Sequence, residues 1–157
     1  MITLGWRLNM TGVQLLEVVK ICEKWYNDNI FFHCSRVVRN LEADMLFQFI
    51  PQENQNDLRA LAICHDLLED TEIANSEDFN RLIELGVSMP NLKTLTRNKN
   101  DSYDKYIQIC LSSPDTRIVK CADICDHLSQ KDTLTPRLKD KYDKVAYLFF
   151  ENLNNWN

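Results

Sequence analysis

The chain has 157 residues, 45% of them hydrophobic and 26% charged, with only three Gly and four Pro. That is the size and composition of one globular domain, too apolar for a disordered chain and too poor in turn residues for a turn-rich all-β fold. The net charge of −5, with no basic run, argues against binding nucleic acid through its backbone, and the lack of a secretory stretch or an apolar run near 18 residues predicts a soluble, cytoplasmic protein without a membrane partner.

Read in chain order, Met1–Met10 is a non-periodic lead and a candidate N-terminal extension. Thr11 is placed to cap a helix through about Asn27, since Leu15, Val18, Val19 and Cys22 repeat at helical spacing. Asn27-Asp28-Asn29 breaks it, and a second helix is expected from about Cys34 to Phe49, ended by Pro51. Asn54–Asp57 reads as a loop and helix start, followed by a third helix through Leu58, Leu61, Leu67 and Leu68 to about Asp70.

A fourth helix is expected over Glu77–Leu85, with Gly86 closing it. Val87–Asn100 reads as a connector, Asp101 as the cap of a fifth helix, and Pro114 as the opening of a sixth through about Gln130. Thr135-Pro136 opens a last helix to about Asn152. No repeat, low-complexity segment or linker divides the chain, so residues 1–157 are expected to form one all-α domain, a compact helical bundle.

The six cysteines form no Cys-x-x-Cys pair. They read as small buried thiols rather than a cysteine-rich zinc site. Trp6, Trp25 and Trp156 read as packing residues. Tyr147 with Phe149-Phe150 reads as core or as a surface for homo-oligomer formation.

The chemistry concentrates in ALAICHDLLEDTEIA, Ala60–Ala74. On a continuous helix turning about 100° per residue, with His65 as origin, Glu69, Asp66 and Asp70 fall near ~40°, ~100° and ~140°. Four ionisable groups then share one sector of an apolar helix. Carboxylates buried there need a metal, a cation or a water-filled cleft. The chain has three histidines, His33, His65 and His127, and Asp123 stands four residues before His127. His33, His65, Asp66 and Asp123 together would offer two imidazoles and two carboxylates, a set suited to Mn²⁺ or Fe²⁺.

The order of these parts resembles the HD-domain phosphohydrolases. The match consists of His33 with Val37, then His65-Asp66-Leu67-Leu68-Glu69-Asp70-Thr71, then Lys120-Cys121-Ala122-Asp123. Within that family it is most similar to the RelA/SpoT-type alarmone hydrolases, the small stand-alone forms included. Leu95-Thr96-Arg97, Tyr103–Tyr106 and Asp115-x-Arg117 follow the same pattern, and the resemblance runs from about His33 to Leu128.

The resemblance implies an HD-domain bundle in which His33, His65, Asp66 and Asp123 ligate a metal, usually Mn²⁺. It implies that Glu69 and Asp70 act beside an attacking water, and that the reaction removes the 3′-pyrophosphate of guanosine tetra- or pentaphosphate or a related nucleotide. Arg36, Lys120, His127 and Tyr103 are the candidate substrate contacts, with Arg39, Arg97 and Arg117 as further phosphate binders. The chain departs from the family at Ile124 and His127, where relatives carry Arg and Asn, and in the thin basic segment from Lys24 to Phe32. Two other readings stay open: an HD-type nucleotide phosphatase or 5′-nucleotidase releasing orthophosphate, and a nucleotide-binding module that sequesters its ligand without turnover.

Overall fold

A computed structural model describes residues 9–154, with side chains to residue 149. Trp6, Trp156, the side chain of Phe150 and most of the expected N-terminal extension lie outside the described residues. Within them the chain is all-α, as expected.

Helix α1, Gly12–Trp25, opens on a reciprocal cap: Thr11 Oγ1 accepts from Gln14 N, and Gln14 Oε1 accepts from Thr11 N. It stops at Trp25, and extended backbone at Tyr26 leads into Asn27. The Asn-Asp-Asn run is both the break and the next start. Asn27 Oδ1 accepts from Ile30 N and opens α2, Asp28–Ala43, which therefore begins well before Cys34. The expected C-terminal end is also different. Asp44 caps a separate 3₁₀ turn, Met45–Phe49, by accepting from Leu46 N.

The expected third helix is two. Helix α3 spans Gln52–Cys64, directly after Pro51 and so ahead of the start expected over Asn54–Asp57, and α4 spans Leu67–Asp70. Between them His65 and Asp66 form a turn, Asp66 at φ −96°, ψ −1°. Helix α5, Glu77–Glu84, ends at Gly86 with φ +98°, where Gly86 N bonds Ile83 O and Val87 N bonds Leu82 O. This left-handed stop needs glycine. The expected connector after it contains α6, Met89–Leu95, capped by Ser88 with Pro90 in its first turn. Ser102, not Asp101, caps α7, Tyr103–Leu111. Helices α8, Pro114–Ser129, and α9, Pro136–Asn154, follow the expected spans closely.

Helix α2 packs most extensively against α8 and next against α3, which also touches α8, while α9 packs against α7 and α8. Val37 and Leu41 of α2, Leu61 and Ala62 of α3 and Val119 of α8 are buried at the centre. Cys22, Cys34, Cys64 and Cys110 are buried thiols, as expected, whereas Cys125 is exposed. Phe149 is buried and Tyr147 exposed. Among the described residues no helix is long and apolar enough to cross a membrane.

Candidate metal centre

Three segments deliver the ionisable groups. Helix α2 carries His33 and Arg36 one turn apart, the α3–α4 turn carries His65 and Asp66, and α8 carries Lys120, Asp123, Asp126 and His127. The turn matters because it ends the α3 ladder at the point where polar groups begin. The next ladder starts with Asp70 N on Asp66 O, and Thr71 Oγ1 closes it by donating to Leu67 O. The sector drawn for a continuous helix therefore does not describe this segment.

His33 Nε2 lies 3.1 Å from Asp123 Oδ1 and 3.6 Å from Asp66 Oδ2. His65 Nε2 lies 3.3 Å from Asp66 Oδ1 and 3.7 Å from Asp123 Oδ1. An ion with bonds of about 2.1 Å keeps adjacent donors about 3.0–3.4 Å apart, from octahedral to tetrahedral geometry. His65 Nε2 and Asp123 Oδ1 are buried without a hydrogen-bond partner. Orphaned polar atoms in the interior cost 1–3 kcal/mol or about that much each unless something else meets them.

The far side of each ring explains which nitrogen faces inward. His65 Nδ1 is 2.7 Å from Ala62 O, and His33 Nδ1 is 2.7 Å from Asp126 Oδ2. An oxygen at Nδ1 assigns the proton there and leaves a lone pair on Nε2, as metal-binding imidazoles require. Asp126 is itself fixed: Arg36 Nε donates to its Oδ1 at 2.7 Å and Nη2 to its Oδ2 at 3.1 Å. Burial resists the ionisation of Asp126, but the hydrogen bonds from Arg36 and His33 hold its carboxyl below the usual range.

Charge at the centre is unevenly shared. Burial works against ionised Asp123, yet Lys120 and the surrounding imidazoles hold its carboxyl well below its ordinary value. Burial also pushes His65 toward the neutral form, but Asp66 and Asp123 more than offset this and raise it well above the usual imidazole range. His33 is raised in the same sense, with Asp123 and Asp126 outweighing burial. The carboxylates thus call for positive charge at this point, as protons on the rings or as a cation between them. His33, His65, Asp66 and Asp123 fit a divalent ion by their donor set, by the 3.1 and 3.3 Å separations, with the other two only about 0.2–0.3 Å wider than the spacing such an ion sets, and by the orphaned His65 Nε2 and Asp123 Oδ1.

The remaining expected site residues are placed as follows. Glu69 accepts a hydrogen bond from Arg97 N, and Asp70 is exposed beyond the ligand turn. Burial, then Asp66, raises Asp70; burial raises Glu69 against the Arg97 amide. Lys120 is buried with Nζ on Asp123 Oδ2 and 5.0 Å from the Tyr106 ring centroid. Arg36 is engaged by Asp126 rather than directed at a ligand. His127 Nε2 lies 3.1 Å from Asp123 Oδ1.

Tyr103 has a buried hydroxyl without a partner, and Lys141 Nζ sits 3.8 Å from its ring centroid. A groove of ≈ 670 Å³ is lined by Tyr103, Thr135, Arg137, Lys141 and Lys144, among others. Arg97 bonds Asp101 O, Arg117 bonds Leu111 O at the end of α7, and Arg39 is exposed.

Two contributors escaped the sequence reading. Asp126 shares one helical face with Asp123, His127 and, just past the end of α8, Gln130, at i, i+3, i+4 and i+7, a signal that could have exposed it. Tyr142, stacked on His127 from α9, has no comparable signal. A scan of protein-family models and a search of curated proteins both return no match to the chain.

Proposed function

We propose that this protein is a metal-dependent nucleotide pyrophosphohydrolase of the HD type. Its substrate is guanosine tetra- or pentaphosphate or a related nucleotide, from which it removes the 3′-pyrophosphate. One observation carries the reading. His33 and His65 turn their Nε2 atoms toward Asp66 and Asp123, while their Nδ1 atoms are held by Asp126 and a backbone carbonyl. Structural imidazole–carboxylate pairs have no need of this double orientation.

His33, His65, Asp66 and Asp123 would hold the ion, Mn²⁺ or Fe²⁺ by donor type. When bound, a divalent cation lowers the pKa of a coordinated water and offsets phosphate charge. Asp70 is the proton acceptor. Its carboxyl is raised by burial and by Asp66, which brings its basicity closer to that of its task. Glu69, next to Asp70, is tied to the Arg97 amide and so anchors the segment before α7 against α4. Tyr103, Lys141 and Arg137 line the groove in which the nucleotide and its uncleaved phosphates would lie.

In the reaction a bond forms between the water oxygen and the phosphorus nearest the ribose. The bond from that phosphorus to the 3′ oxygen breaks, and the water proton passes to Asp70. The departing 3′ oxygen takes up a proton to become the ribose hydroxyl, and pyrophosphate leaves together with the nucleoside 5′-diphosphate, or the 5′-triphosphate from the pentaphosphate.

The test is incubation of Mn²⁺-loaded protein with guanosine tetraphosphate and a panel of other nucleotides, products being resolved by ion exchange. GDP and pyrophosphate are expected. Orthophosphate in place of pyrophosphate would make the protein a nucleotidase-type phosphatase. Tight nucleotide binding with no product from any substrate would refute catalysis and leave a sequestering module.

A further inference from the structure

We propose that His127 is a fifth protein ligand, making the centre a site of three imidazoles and two carboxylates that favours the later divalent transition metals over Mn²⁺. The inference rests on the metal-centre reading above but not on the identity of the substrate.

Asp123 and His127 stand four residues apart on α8, so both project from one face of that helix. His127 Nε2 lies 3.1 Å from Asp123 Oδ1, the same separation as His33 Nε2 from that oxygen. The ligand atoms of His33, Asp123 and His127 all fall within 4.8 Å of one another, as do those of His33, His65 and Asp66. The two groups share His33 and merge into one five-residue cluster.

The simpler role for His127 is to donate a hydrogen bond to Asp123. The geometry speaks against it. Asp123 Oδ1 has three imidazole Nε2 atoms within 3.7 Å and yet no hydrogen-bond partner. Three nitrogens crowded around one oxygen without a satisfied bond is the pattern of donors facing a common centre beside that oxygen. The ring is also held in place on both sides. Tyr142 of α9 stacks on it at 5.0 Å and 5°, and the His33 ring lies 4.8 Å away at 34°. A ring fixed between two others keeps its Nε2 directed along one line, which a surface histidine does not need.

The consequence is metal selectivity. Carboxylate-rich sites suit Mn²⁺, whereas imidazole suits iron, nickel, copper and zinc, and affinity for nitrogen donors rises from Mn²⁺ through Fe²⁺ and Co²⁺ to Ni²⁺. A third imidazole therefore moves the preference toward Fe²⁺ and Co²⁺ while leaving the two carboxylates to neutralise the charge.

The test uses the metal-free full chain and its His127→Asn and His127→Ala variants, titrated with Co²⁺ and with Mn²⁺. The wild-type protein is expected to prefer Co²⁺. Both variants should lose about 10–100-fold in Co²⁺ affinity, lose less for Mn²⁺, and shift the visible absorption bands of bound Co²⁺. Added imidazole should restore Co²⁺ affinity in His127→Ala, which a purely structural defect would not allow. Melting of the metal-free variants at the wild-type temperature establishes that they are folded; His127 is partly exposed, and its removal leaves no core cavity.

Unchanged Co²⁺ affinity and an unchanged spectrum in both variants would overturn the assignment while leaving the four-ligand centre standing. A wild-type protein that binds neither ion would overturn the metal centre as well. If Co²⁺ binding depends on His127 but no nucleotide is cleaved, the ligand assignment holds and the hydrolase reading falls.

Discussion

Asp126 makes no contact with the proposed ion position, and its replacement by Asn is the sharpest probe of how the centre is held. Asn matches Asp in size but has one acceptor and one donor where Asp126 has two acceptors. In the native arrangement both oxygens accept, from His33 Nδ1 at 2.7 Å and from Arg36 at 2.7 and 3.1 Å. If the Asn carbonyl stays with His33, its NH₂ faces the Arg36 guanidinium, donor against donor. If it turns to Arg36, the NH₂ faces His33 Nδ1, the ring proton moves to Nε2, and a donor points where a lone pair is required.

Charge-assisted hydrogen bonds contribute roughly 1.5–3 kcal/mol each, but the Arg36 side chain is 37% exposed and can turn to water. We therefore expect a net loss of about 2 kcal/mol, which for a domain of this size lowers Tm by roughly 4–8 °C. Loss of an oriented imidazole lowers metal affinity about 10–100-fold. Thermal melting of the metal-free variant and calorimetric titration with Mn²⁺ measure the two effects separately. Arg36→Ala, which leaves the His33–Asp126 bond in place, should cost less metal affinity than Asp126→Asn. Wild-type Mn²⁺ affinity in Asp126→Asn would refute the idea that this carboxylate sets the His33 tautomer.

Two further outcomes are expected. Asp70→Asn should reduce turnover of the cleaved nucleotide by at least about 100-fold, the lower range for a general base, with Mn²⁺ affinity unchanged; turnover close to wild type would remove Asp70 from the reaction. Metal at about 100 times its neutral-pH Kd should stabilise the fold by about 2.7 kcal/mol, and at that same fixed metal concentration the increment should grow as pH rises. The sign follows from the shifts. His33 and His65, raised by their carboxylate neighbours, stabilise the metal-free fold while protonated and lose that contribution as pH rises through their folded values. The ion requires those same rings neutral, so its effect on Tm should be small below the ordinary imidazole range and largest above the raised one. A metal-induced Tm shift that is flat across this window would contradict the assignment of both rings as ligands.

Local signals made much of the fold legible. Thr11, Ser76, Gly86 and Pro114 each carry short-range chemistry that starts or stops a helix, and they do so in the structure. The misjudged boundaries have equally local causes. Asn27-Asp28-Asn29 reads as a breaker, and its second role as a cap depends on where the next helix finds its partners. Apolar periodicity runs unbroken through Ala60–Leu68, so nothing in the pattern marks the turn at His65-Asp66. Helix α6 is too short to show a period.

At the site, residue types and the His65–Thr71 string singled out His33, His65, Asp66 and Asp123, and the structure brings these four together. What the sequence conceals is the support. Arg36 looks like a free phosphate binder until Asp126 is seen against it, and His127 looks like a lone histidine until Tyr142 from α9 is stacked on its face. Both depend on how one helix packs against another, distant in the chain for Arg36 and Asp126 and the next one along for His127 and Tyr142, which no spacing rule encodes.

The pairing of α2 with α8 has a consequence for how the molecule comes to its final state. His33 and Asp126 meet across 93 residues of chain, so the centre has no existence in a nascent polypeptide that ends before α8. Helices α1 to α3 can collapse on one another through local contacts, but such an intermediate presents His33 and His65 without Asp123 or Asp126. Closing so long a loop is among the slower steps available to a helical chain. A cation held by both halves would act only after that encounter. It would slow the departure of α8 from the finished fold rather than hasten its arrival, a lock on a structure that the apolar contacts have already assembled.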